Sequence, residues 1–374
     1  MALRETEDID KPKTNKRSYR FVKLPNHLSV WLVSDPAADL ASAALDINVG
    51  SYFDPPPVEG LAHFCEHMLF LGTEKFPDET EYSNFIKQHG GCTNAYTEHT
   101  HTNYHFSVAP EHLEVFHCAI STEIAAEREL NAVDSKFRLR LVNDFIRRWQ
   151  LLHKLANPDH PFNRFSCGNQ VSLQEVPKAL GADVRHELLA FHKTWYSANI
   201  MTLVGLGKDS LDCLQGMVEK YFGTIKDKQV PVRPSRAIVD PSVPVFRRHE
   251  DLQQVVYTVP IKDQREIHFE FVLPPQIDAW RTKHSRIFYI SIELTEQGAS
   301  DAGLERVEDL VFLSLSLLRT SRVQEWVFEE SRWLAEMGFR FADTENPLPF
   351  CVVHAKHLHR YPPERLRLRR LKKA

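Results

Sequence analysis

The chain has 374 residues, enough for two or three domains of ordinary size and a sizeable core. With 43% hydrophobic residues, 26% charged residues and a formal net charge of −4, it has a globular composition. That balance carries no overall electrostatic signature for nucleic acid or for strongly acidic substrates.

Residues 1–18 are polar and read as a disordered N-terminal segment. Strands are predicted at "YRFVKL", "LSVWLVSD" and "SAALDINVG", followed by the proline-rich loop "SYFDPPPVEG". From Glu59 the apolar spacing turns helical, and Gly72 stands where a helix would stop. Asp78 suits the N-cap of a helix over "ETEYSNFIKQH". The segments "TNAYTE" and "TNYHFSVA" read as two strands joined by a histidine- and threonine-rich turn. Pro110 to about Leu155, with no internal glycine or proline, predicts one long helix or two end to end. A helix at "DVRHELLAFHKTWYSAN", a strand at "IMTLVGLG" and a helix at "SLDCLQGMVEKYF" close a first domain over 19–223.

An extended linker over 224–245 leads to a second, truncated domain over 246–362. Its predicted strands are "QQVVYTVPI", "EIHFEFVLP" and "RIFYISIEL", with two helices after them. A basic tail, 363–374, reads as a solvated or frayed helical end. This order of elements predicts an α+β fold, a mostly antiparallel sheet with helices packed on one face. Six scattered cysteines without a CxxC pair suit reduced thiols of an intracellular protein. The N-terminus lacks a secretory apolar core, and the longest apolar run, Leu310–Leu318, is too short to span a bilayer. A cytoplasmic protein is expected.

The chemistry concentrates in "GLAHFCEHMLFLG". On a helix His63 and His67 stack one turn apart on one face and can share a metal ion, for which neutral imidazole is a good ligand. Glu66 is placed to act as general base toward water on that ion. The order H-x-x-E-H is the inverted zinc motif. Its flanks, Leu61, Phe64, Met68, Leu69, Phe70 and Leu71, would bury the helix, where two histidines and a glutamate are costly without a partner. The other histidines, among them His99 and His101 beside the second strand, read as surface or strand residues.

The stretch from "GLAHFCEHMLFLG" through "TEHTHTNYHFSV", with "RELNAVDS", "NPDHPFNRFSCGN" and "HELLAFHKTWYSANIMTLVGLGKDSLD", resembles the pitrilysin/insulysin family of inverted-zincin metallopeptidases. The resemblance runs from Arg17 to about Pro362. It implies two similar domains of the LuxS/metallopeptidase-like type, the second incomplete, and a zinc-dependent endopeptidase for peptides. It also implies His63 and His67 as zinc ligands, Glu66 as base, Glu129 as a supporting acid, and Asn94 and Ala95 on a strand that holds substrate by main-chain pairing.

Four departures stand against it. The family's third ligand is a glutamate, and that position here is Lys136, which is not expected to bind zinc because it would bring positive charge toward the dication. Glu129, Asp134 or a residue of "TEHTH" would have to substitute. The segment between His112 and Glu129 is shorter by about 7 residues, roughly two helical turns, and a larger piece is missing between "FVLPPQ" and "RIFYIS". The C-terminal half that supplies an arginine and a tyrosine in such enzymes has no counterpart, so a second chain is a candidate partner. The alternative to an active peptidase is an impaired family member acting as a peptide-binding or partner subunit, and Lys136 separates the two readings.

Overall fold

The computed structural model describes residues 5–6, 11–12, 14–69, 81–119, 129–232, 239–240, 242–247, 251–273, 276–277, 282–283, 286–321 and 324–361. The expected helix stop at Gly72, the N-cap at Asp78 and the tail 363–374 lie outside the described residues, as do most of residues 1–10. The chain divides into two compact units. The first is built chiefly from Asn15–Leu252 and Thr344–Leu366, the second chiefly from Gln253–Asp343.

The first unit is organised on a seven-stranded sheet. Its strands are β1 (Glu5–Thr6), β2 (Ser18–Lys23), β3 (Ser29–Ser34), β4 (Ala41–Ile47), β5 (Cys92–Thr97), β6 (Thr102–Val108) and β7 (Met201–Gly207). The order is β1-β2-β3-β7-β4-β6-β5, antiparallel at every junction except β3 against β7. In β4 and β7 every residue is buried, which is why "ASAALDI" and "MTLVGLG" read as continuous apolar runs instead of alternating ones.

Both faces of this sheet are covered. On one, Leu32, Ala43 and Leu203 meet Leu214, Met217 and Phe222 of the helix Leu211–Phe222. On the other, Trp31 packs 5.5 Å from the Phe350 ring and 4.9 Å from His354, both on the helix Pro347–Leu358. Alternation along β3 sends neighbouring residues to opposite faces, so Trp31 and Leu32 anchor different layers. Buried Arg17 adds an ion pair to Asp35 at 2.7 Å and donates to the Glu345 carbonyl, tying the first strands to the start of that last helix. The fold is α+β, with no closed barrel among the described residues.

The region expected as one long helix, or two end to end, is divided into three. Tight turns over Pro110–Ala119 are kinked at His112, and two helices, Glu129–Arg140 and Asp144–Leu155, follow. Asn143 separates the last two by turning its side chain to accept from Ile146 N, a capping bond that competes with helix continuation. The proline-rich stretch after the first domain is strapped to the first unit where it is described, with Val239, Val245 and Phe246 buried and Asn157 N donating to the Val245 carbonyl.

In the second unit, β8 (Glu266–Leu273) pairs antiparallel with a later strand, Arg286–Glu293, and the helices Asp301–Ser321 and Glu325–Arg340 follow. The predicted strand "QQVVYTVPI" is irregular chain instead, with Val255 and Tyr257 exposed. The described β8 ladder has two strands, and this segment is not one of them.

Candidate metal centre

The helix α1 (Leu61–Met68) begins abruptly because its entry is fixed by contacts that sequence reading passed over. Gly60 adopts φ +90°, and a Cβ there would lie 2.3 Å from Gly168 Cα, so two glycines permit the close approach of two loops. The Asp54 carboxylate accepts from Gly60 N at 2.8 Å and Ala62 N at 2.7 Å, satisfying amides at the helix start. Burial pushes its carboxyl up to about 8, against the pull of those two donors and of Arg164. Ser172 Oγ donates to the Glu59 carbonyl at 2.8 Å and holds the facing loop to the same entry.

His63 and Glu66 are buried and His67 is half-buried. One ligand-capable atom from each of the three lies within 4.8 Å of the others, and theirs is the one such group of three or more among the described residues. The His63 and His67 rings meet edge to face at 4.8 Å. His63 Nδ1 contacts the Cys167 carbonyl, which can only accept, so Nδ1 carries the proton and Nε2 keeps its lone pair. Burial, aided by the charges of His67, Lys136 and Arg140, pushes the His63 imidazole down to about 3. Glu66 Oε2 accepts from Thr97 Oγ1 at 2.6 Å, which links α1 to the edge strand β5. Burial raises the Glu66 pKa, while the Thr97 bond and the charges of His67 and Lys136 pull it down. A neutral imidazole with a fixed tautomer, a second imidazole one turn away and an oriented carboxylate are a donor set that suits zinc.

Lys136 reaches this group from the helix α2 (Glu129–Arg140): its Nζ donates to His67 Nε2 at 3.2 Å. One turn further on, Arg140 Nη1 donates to Cys167 Sγ at 3.0 Å. The Glu129 side chain lies outside the described residues. Asp134 is engaged elsewhere, with Arg138 Nε at 2.7 Å and Gln170 N at 3.1 Å. His99 stacks on Tyr52 at 4.9 Å, and His101 Nε2 stands 4.0 Å from Asp46 and 3.8 Å from Glu98, so neither joins the cluster. Asn94 and Ala95 sit on β5, which among the described strands pairs with β6 alone at the end of the sheet. Asn94 Oδ1 accepts from Ala95 N at 2.9 Å.

The structure brings the predicted His63, Glu66 and His67 together, and holds them through residues that sequence reading did not single out: Asp54, Gly60, Thr97, Cys167 and Ser172. The only available signal was the aspartate before a proline run, which reads equally well as an ordinary loop.

The family model described as insulinase (peptidase family M16) matches residues 29–159, and that described as the peptidase M16 inactive domain matches 183–282. Insulin-degrading enzyme of Bos taurus is 38% identical over 95% of this chain and 39% of its own length. The chain belongs to the M16 peptidase family. A-factor-processing enzyme of Saccharomyces cerevisiae is 35% identical over 91% of the M16 chain and 37% of its own length. The crystal structure of pitrilysin matches with a TM-score of 0.82 and 26% identity, over 97% of this chain and 42% of that one. The M16 chain thus spans about two fifths of the length of the curated relatives it matches. None of its described helices is long and apolar enough to cross a membrane.

Proposed function

We propose that this M16 chain carries a zinc-dependent metalloendopeptidase centre for peptides and small proteins, in a cytoplasmic setting. His63 and His67 hold the metal, Glu66 is the base and Glu129 supports the site from the neighbouring helix. The observation that carries the reading is the convergence of His63, Glu66 and His67 within 4.8 Å on a buried helix. Zinc at such a site supplies Lewis acidity toward a peptide carbonyl and toward water. The Glu66 carboxylate, kept in place by Thr97, takes the proton of the attacking water and passes it to the leaving amide nitrogen. The Cys167 carbonyl keeps His63 in the ligating tautomer.

Peptide substrate adds as a further strand along β5, with Asn94 and Ala95 in contact. Main-chain pairing then provides affinity without strong sequence preference. The Thr97–Glu66 bond supports this placement, because the edge strand and the base belong to one hydrogen-bonded unit. In this reading the catalytic-type domain expected over 19–223 also takes in the helix Pro347–Leu358, so the second family domain expected over 246–362 reduces chiefly to Gln253–Asp343, after a linker over 224–245, and a second chain is a candidate partner.

One observation favours a second reading, an impaired, peptide-binding subunit: Lys136 Nζ is directed at His67 Nε2. The experiment compares zinc content by elemental analysis and cleavage of a quenched peptide in wild type, Lys136→Glu and Glu66→Gln. The peptidase reading expects Lys136→Glu to bind one zinc and cleave, and Glu66→Gln to bind zinc without cleaving. It fails if Lys136→Glu loaded with zinc is inert.

A further inference from the structure

The centre has an imbalance of charge that its donor list does not resolve. Two imidazoles and one carboxylate converge, and the carboxylate is already committed to Thr97. Two cationic side chains one helical turn apart, Lys136 and Arg140, stand over the same site. Among the described side chains, the site has no second anionic oxygen. What it has in that place is a primary amine, half-buried and held 3.2 Å from His67 Nε2.

We propose that Lys136 is a modification site for carbon dioxide, and that its Nζ carbamate is the anionic ligand that completes the zinc centre. The inference rests on the zinc-site reading above. In the reaction the Nζ lone pair forms an N–C bond to the carbon of CO2, and one C=O π pair moves onto oxygen. The balance is Lys136–NH3⁺ + CO2 → Lys136–NH–COO⁻ + 2 H⁺. No oxidation or reduction occurs, and both protons leave to solvent.

The product replaces a positive charge beside His67 with a negative one. Its oxygens lie two bonds beyond Nζ, the atom that already touches His67. Arg140, whose charge reaches both His63 and Glu66, then faces an anion instead of a second cation. A carbamate reverts to amine and CO2 unless something binds its anionic form. A divalent cation does so, and by linkage the carbamate strengthens binding of the cation. Lys136 then competes with metal for His67 when unmodified and coordinates metal when modified.

The test uses the full chain, stripped of metal, as wild type, Lys136→Glu and Lys136→Met, with Lys136→Gln in place of the last if it misfolds. Zinc is titrated against a competing chromophoric chelator in CO2-free buffer and in buffer containing ¹³C-bicarbonate, and the loaded protein is examined by ¹³C NMR. Bicarbonate is expected to tighten zinc binding to wild type by about tenfold or more, about 1.4 kcal/mol. One carbamate resonance per chain should accompany it, and both should be absent from the variants. Lys136→Glu is expected to bind zinc equally well in either buffer. If Lys136→Glu binds zinc while wild type is indifferent to bicarbonate, or gains only as much as Lys136→Met, the carbamate is overturned and the zinc site stands. If Lys136→Glu binds no zinc, the zinc-site reading falls and the carbamate falls with it.

Discussion

In the first unit the strands β4 and β7 are buried at every position, whereas no residue of β8 in the second unit is buried. The helices differ in the same sense. Phe350, Cys351, His354 and Ala355 of Pro347–Leu358 are buried, but Val311 is the single buried residue of Asp301–Ser321. On that second-unit helix Leu317 is 59% exposed, and on the next Trp326 is 65% exposed. Both units have strands and helices of apolar composition. The first closes a core because its sheet has seven strands and a helical layer on each face, while the described ladder of the second has two strands. Apolar content becomes stability only when layers cover it. The candidate metal centre stands on the unit that achieves this, as a site needing fixed geometry requires.

The comparison can be broken first at the chemistry. Glu66→Gln is expected to lower peptide cleavage about 10²–10⁴-fold while leaving zinc content unchanged, since it removes the proton acceptor and keeps the shape. Steady-state kinetics with elemental analysis checks it, and undiminished turnover would remove Glu66 from the role. Next comes the core: Leu45→Ala, at a fully buried position of β4, should cost about 2–5 kcal/mol in urea unfolding. The same change at exposed Leu317 should cost less than about 1 kcal/mol; equal losses would mean that the second unit also has a core.

Gly60→Ala is expected to destabilise by about 1–3 kcal/mol and to weaken zinc binding, because it strains a positive φ and strikes Gly168. Calorimetry and a zinc titration measure the two effects.

A further expected effect is on pH. Burial holds His153 down to about 3 and His99 down to about 4, both below the usual 6.5. Between about pH 6.5 and those values the unfolded chain binds protons that the folded chain refuses. Their stabilising contribution is therefore intact above pH 6.5 and lost as pH falls, by up to about 1.4 kcal/mol per pH unit and group. His153→Phe, which keeps a ring against Phe162, should flatten the dependence of melting temperature on pH between 7 and 5.

The hairpin of β5 and β6, the strands β2 to β4 and β7, and the helix bearing His63, Glu66 and His67 were legible because each announces itself by local periodicity. The helices after Pro110 were legible only in part, since Asn143 ends continuity through a side-chain bond that composition does not reveal. That "QQVVYTVPI" is irregular chain was illegible, because an apolar, β-branched run states a preference for extended chain and not whether a ladder forms on it. Lys136 shows the same limit at the site. Its identity raised the question of the third ligand, but its placement on His67, 69 residues away, is a fact of packing between two helices.

By itself the sequence determined that two imidazoles and a carboxylate share one face of a helix, because helical geometry fixes residues three and four apart. It also determined the family, through motifs spread along most of the chain. Tertiary structure alone decided the tautomer of His63, through a carbonyl 104 residues distant, and the orientation of Glu66, through Thr97 on an edge strand. It also decided that Pro347–Leu358 covers the far face of the sheet through Trp31. The physical reason is the same in each case. Periodicity is a property of neighbours along the chain, whereas hydrogen-bond partners and covered faces depend on which distant segments arrive at the same place.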